Sequence, residues 1–139
     1  MTLHLIKLSV GTEDVDDLER WQARRLRRTG RVFHKTRMMP RRRAELVRGG
    51  SIYWVIKGAI RCRQRLTAVE AGVDEEGRPC TLLLLEPKLV RTAPRPHRPF
   101  QGWRYFTPEG APVDFDALPE GVADMPPELV AELHALGLL

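Results

Sequence analysis

The chain has no asparagine and only two cysteines, Cys62 and Cys80, in 139 residues. No CxxC pair occurs, so no redox motif and no cysteine-rich zinc site is expected, and a disulfide between the two is not expected either. Long apolar runs are also missing. The longest, Cys80 to Leu85 with Thr81 inside it, falls far short of the roughly 20 residues that span a bilayer. The N-terminus, Met1-Thr2-Leu3-His4-Leu5, lacks a basic stretch followed by an apolar one. No secretory signal is therefore expected, and a cytoplasmic protein with reduced thiols is the default.

Catalytic signatures are equally sparse. The four histidines are scattered at 4, 34, 97 and 134, and no HExxH, nucleophile elbow or Walker loop occurs. Gly49-Gly50-Ser51 reads as a helix stop before a strand, not as a phosphate cradle. Cys62 falls on an apolar strand face and is most simply a core residue. A Cys62/His34 or Cys80/His97 pair would have to form in space. The residues thus assign no catalytic group, no metal and no cofactor, although a small enzyme acting on a phosphorylated or nucleotide substrate stays open.

Lysine is scarce as well, four against nineteen arginines. Together with the missing asparagine this points to a coding bias, so the choice of Arg over Lys carries little weight. The clustering of charge does carry weight. Residues 20–65 hold sixteen basic side chains against one acid, Glu45. Residues 1–19 and 66–139 are both net acidic. A segment this basic faces phosphates or acidic partners. The apolar fraction of 42% against 29% charged is that of a folded chain, and the length suits one domain.

Periodicity then organises the chain. Residues 2–8 predict a strand. Thr12 looks like an N-cap, with Glu13, Asp14, Asp16 and Asp17 over the first helical turn and Arg24, Arg25, Arg27 and Arg28 over the last. Val15, Leu18, Trp21 and Leu26 would form its apolar face, and Gly30 would stop it. A strand over 31–36 and a short helix from Pro40 to about Arg48 follow. Ile52 to Lys57 is the continuous apolar run of a strand buried on both faces. Residues 59–70 alternate, with Ile60, Cys62, Gln64, Leu66 and Ala68 on one face and Arg61, Arg63, Arg65 and Thr67 on the other. Strands over 79–86 and 88–92, an extended Pro-rich loop 93–99 and a closing strand within 100–106 complete the pattern. The acidic, Pro-rich stretch 107–127 reads as irregular, and 127–136 as a last amphipathic helix. This divides the single domain 1–139 into a strand–helix extension (1–30), a basic α+β core (31–106) and an acidic C-terminal segment.

Three constellations stand out. Arg41, Arg42 and Arg43, after Arg37, would sit at the positive end of the short helix, against its dipole and ready for phosphate. They equally suit pairing with the acidic flanks or with water. Arg61, Arg63 and Arg65 form a ladder that repels itself unless something negative covers it, either a nucleic acid or the chain's own acidic segments. Arg95, His97, Arg98 and Arg104 are mixed with Phe100, Trp103 and Tyr105, which suits single-stranded nucleic acid or a loop pinned to the core by its rings.

The segments Thr36-Arg37-Met38, Ser51-Ile52-Tyr53-Trp54-Val55-Ile56-Lys57-Gly58, Arg63-Gln64-Arg65 and Pro99-Phe100-Gln101-Gly102-Trp103-Arg104-Tyr105 resemble those of a small bacterial domain-of-unknown-function family. The resemblance covers nearly the whole chain and by itself implies no activity. The order strand, helix, Gly-Gly, strand, long strand over 31–70 is similar to the start of PUA-like barrels, including the ASCH and EVE modules. That likeness implies RNA or modified bases in a groove along the first helix of the module. The N-terminal strand–helix unit departs from it.

The expected fold is thus α+β, a mixed sheet or a small, partly open PUA-like barrel with two to three packed helices. The expected function is binding of nucleic acid, RNA rather than duplex DNA, or of another polyanion. Arg37 and Arg41 to Arg43 would hold phosphates, with Arg61, Arg63, Arg65, Arg95, Arg98 and Arg104 alongside and Trp103 and Tyr105 stacking. The alternative is a non-catalytic interaction protein whose basic belt is neutralised internally. The basic elements on either side of the strand 52–57 are expected to share one face.

Overall fold

A computed structural model describes residues 2–117 and, beyond them, 125, 126, 128, 129, 132, 133 and 136. The helix expected over 127–136 and much of the acidic stretch lie largely outside the described residues.

The sheet has seven strands: β1 (His4–Leu8), β2 (Val32–Thr36), β3 (Ser51–Ile56), β4 (Ala59–Val73), β5 (Pro79–Leu85), β6 (Val90–Pro96) and β7 (Trp103–Phe106). It runs in the order β2-β5-β4-β3-β1-β7, with β6 also on β4. β1 and β3 are parallel and the remaining pairs antiparallel. The fold is therefore α+β around a mixed sheet. The sheet does not close into a barrel, because β2 and β7 end the order unpaired with each other. β1, from the expected N-terminal extension, lies between β3 and β7 and is woven into the sheet.

β4 governs the shape. Its first half, 59–65, pairs with β3 and β6, and its second half, 66–73, pairs with β5. An extra residue at Arg61 and a shift between Leu66 and Ala68 break its register. Such bulges bend and twist a strand. The bend carries β5 and β2 round until His34 of β2 stands edge-on to Trp54 of β3, ring centroids 5.3 Å apart. Arg61 also resets the alternation. Ile60 faces Val55 and joins a small second core, whereas Cys62, opposite Trp54, joins the main one. The expected single apolar face of 60–68 is thus split by one inserted residue.

β3 is buried at all six positions, as its continuous apolar run requires. Lys57 and Gly58, both at positive φ, make the two-residue turn into β4. Ile52, Trp54 and Ile56 face the main core with Val15 and Leu18 of helix α1 (Val15–Thr29), while Tyr53 and Val55 face the second core with Ile6. The N-cap of α1 is Asp14, whose carboxylate accepts the Asp17 N–H at 2.7 Å. Thr12, expected in that role, donates instead to Ser9. Helix α2 (Arg43–Leu46) is one turn long, not the nine residues expected from Pro40. It ends against Gly50, where a Cβ would come within 2.3 Å of the carbonyl oxygens of both Leu3 and Leu46. Only glycine fits there.

Candidate functional site

The shortened α2 changes the first constellation. Arg41 and Arg42 precede the helix, so no row of arginines opposes a helix dipole. The loop 37–42 is tied to β7 instead. Trp103 Nε1 donates to the Met38 carbonyl at 2.8 Å, and the Arg42 N–H donates to the Tyr105 hydroxyl at 3.0 Å. The Arg42 guanidinium bonds Glu45 and stands 5.6 Å from the Tyr105 ring. That partnership holds the Glu45 carboxyl below the usual range. Arg43 reaches the Met39 sulfur. Arg37, Arg41 and Arg43 are exposed and have no carboxylate partner among the described residues. The structure thus joins Arg37, Arg41, Arg42 and Arg43 with Trp103 and Tyr105, a grouping that sequence separation hides.

The Arg ladder belongs elsewhere. Arg63 grips Asp114 through two hydrogen bonds of 2.7 and 2.8 Å and donates to the Ser51 hydroxyl at 3.1 Å. Asp114 holds Arg63 firmly charged, and Arg63 holds the Asp114 carboxyl below its usual range. Arg61 donates to the Ile56 carbonyl and Arg95 to the Gly110 carbonyl. Arg65 and Arg98 are exposed, and Arg104 covers the Phe100 ring at 4.6 Å. Arg63 leaves the sheet on the side of Tyr53, whereas α2 packs its Leu46 on the side of Trp54. The two basic elements flanking β3 therefore do not share a face.

A second site went unread in the sequence. Between α1, β2 and β3 lies a cavity of about 370 Å³, walled by the rings of Trp21, Phe33, His34 and Trp54, with Ser9, Thr12, Asp17, Gln22 and Arg24 completing it. Trp21 was expected in the core but is 41% exposed, while Gln22 is buried in its place. Gln22 and Gln64 exchange two amide hydrogen bonds, and the Gln64 oxygen also accepts Trp54 Nε1–H at 3.3 Å. The Arg25 guanidinium lies against Trp21 and Phe33, 4.2 and 4.5 Å from their centroids.

His34 is the chemical oddity of the cavity. Its Nε2 is buried with no hydrogen-bond partner among the described residues. Burial, then the positive charges of Lys7 and Arg25, push its pKa down to about 4. At neutral pH it is an uncharged ring with one donor and one acceptor, and too weak a base to carry protons efficiently. Cys62 does not line this cavity, and burial pushes its thiol up to about 12, so Cys62 and His34 do not form an activated pair.

A family model described as "Protein of unknown function (DUF1489)" matches residues 5–139. The chain belongs to the DUF1489 family. No curated protein and no solved structure matches it. The DUF1489 match takes in the loop 37–42, β7 and every wall of the cavity. Among the described residues of this DUF1489 chain, no helix is long and apolar enough to cross a membrane.

Proposed function

We propose that this chain is a nucleic-acid-binding module whose partner is single-stranded RNA rather than duplex DNA. The observation that carries the reading is the anchored loop. Arg37, Arg41 and Arg43 project from a backbone pinned to β7 by Trp103 and Tyr105, with no carboxylate of the described chain to neutralise them. Exposed guanidinium groups held at fixed spacing bind phosphates, and the exposed Tyr105 ring beside them suits an unstacked base. One-turn α2 is too short to read a major groove, which favours a single strand.

Binding of a fluorescent oligoribonucleotide across salt tests this. Affinity should fall steeply between about 50 and 200 mM salt. The Arg41→Ala/Arg43→Ala pair should weaken binding and flatten the slope by roughly 0.7 for each phosphate that is no longer neutralised. No binding at low salt, or affinity independent of salt, overturns the reading.

A second reading rests on Asp114. Its double bond to Arg63 supports an internally neutralised belt on the opposite face, with the acidic C-terminal segment as the cover. Truncation after Thr107 would then expose new polyanion affinity.

A further inference from the structure

We propose that the cavity between α1, β2 and β3 is a binding site for a purine or pyrimidine base, whose attached phosphate stays outside beside Arg24. The proposal is independent of the anchored loop.

The walls suit a flat ring. Four aromatic side chains surround about 370 Å³, a volume within the range of ligand sites. Trp21 stands at the mouth and Trp54 at the back, one 41% exposed and the other 2%. Aromatic walls of this kind favour flat heteroaromatic ligands over saturated ones.

The open polar atoms suit a base edge. His34 Nε2 lies buried behind the cavity wall with no partner among the described residues, and a buried polar atom left open in a fold calls for one. Gln22 has one N–H and one lone pair left over from its pairing with Gln64 among the described residues. The Gln22 amide, which lines the cavity, thus offers both a donor and an acceptor, as a base edge does. The Gln64 contacts to Gln22, Trp54 and the Glu86 carbonyl hold this edge in place without a ligand.

The charge argues against a cationic guest. Arg25, stacked against the rings of Trp21 and Phe33 from outside the lining, brings one positive charge close to the cavity. Arg24 adds positive charge at the cavity wall. The one lining carboxylate, Asp17, already accepts the Glu13 N–H. A neutral ring with an anionic substituent fits this balance.

The 139-residue chain carrying 5-fluorotryptophan provides the test, because its three tryptophans report separately by ¹⁹F NMR. Titration with each ribonucleoside 5′-monophosphate, and with a short single-stranded oligoribonucleotide, should move the Trp21 and Trp54 signals to saturation. With the monophosphates the Trp103 signal stays in place. Calorimetry should give a Kd below about 1 mM, weakened about tenfold or more by Trp21→Ala and by His34→Ala. Inorganic phosphate alone should not displace the ligand. Trp21 is half out on the helix surface, so its variant tests the site even where His34→Ala fails to fold. Saturation by monophosphates marks a free nucleotide as the source of the base. Saturation by the oligonucleotide alone, sensitive to both variants, marks a base turned out of a strand. Shifts confined to Trp103, no saturable shift at all, or affinities unchanged by Trp21→Ala overturn the proposal. The first of these leaves the anchored-loop reading standing.

Discussion

Gln22 of α1 and Gln64 of β4 pair amide to amide, at 2.8 and 2.7 Å, with Gln64 wholly buried. The pair fastens the helix to the sheet beside the cavity, which Gln22 lines. Gln22→Ala leaves the Gln64 amide short of partners in a dry place, which costs on the order of 1–3 kcal/mol. The double variant Gln22→Leu/Gln64→Leu removes both polar groups and should recover part of that loss. Urea unfolding of the two single variants and the double one measures the coupling. Strictly additive losses would show that the amides do not act as a pair.

His34 makes stability depend on pH. Its folded pKa of about 4 lies below the ordinary 6.5. Between those values the unfolded chain binds the proton and the folded chain does not, so stability is full above pH 6.5 and declines as pH falls towards 4. The total is on the order of 3 kcal/mol. His34→Phe should flatten this part of the profile, as measured by denaturant midpoints across pH. An unchanged slope would mean that His34 is not held neutral by burial.

Asp114 ties the described stretch 107–117 to the sheet. Its pair with Arg63 is partly exposed, 36% and 27% by side chain, so Asp114→Asn should cost about 1 kcal/mol. The Asp114 carboxyl is held below its ordinary 3.8. The stabilisation is therefore complete above that value and lost as pH falls through it towards the folded pKa. If the belt is neutralised internally, the same variant binds heparin more tightly. Heparin affinity equal to the parent's would weigh against that cover.

Tyr105→Phe removes the acceptor for the Arg42 N–H and loosens the loop that carries Arg41 and Arg43. The stability change should be small, about 1 kcal/mol. Oligoribonucleotide affinity should drop several-fold with an unchanged salt slope, because the arginines still reach their phosphates and only their positioning suffers. A change in slope would instead mean that fewer phosphates are neutralised.

Gly50→Ala forces a methyl group into two carbonyl oxygens at 2.3 Å. The backbone of Leu3 or Leu46 must move, and β3 begins at the next residue. A loss of about 3 kcal/mol is expected by thermal or denaturant unfolding. A neutral substitution there would mean that the chain segments meeting at Gly50 can separate freely.

Local chemistry wrote most of the elements into the chain. α1 follows from acids at its start, arginines at its end and Gly30 after it. β3 follows from five apolar residues in succession, and both are where the residues put them, because these signals act within a turn or a strand. The departures came from what periodicity cannot see. Tyr105, sixty-three residues away, captures the Arg42 N–H, and Arg61 as one extra residue splits the face of β4. Periodicity contains neither event.

The candidate sites were legible only in part. Clustered arginines flagged the basic third of the chain, but charge in sequence has no direction. The bend of β4 sends Arg63 to Asp114 on one face and leaves Arg41 and Arg43 bare near the other. The same bend swings β2 over β3 and turns Trp21, Phe33, His34 and Trp54, read separately as core or left unassigned, into the walls of one cavity. Four rings drawn from three elements have no common spacing to read, because only long-range strand pairing brings them within reach of one another.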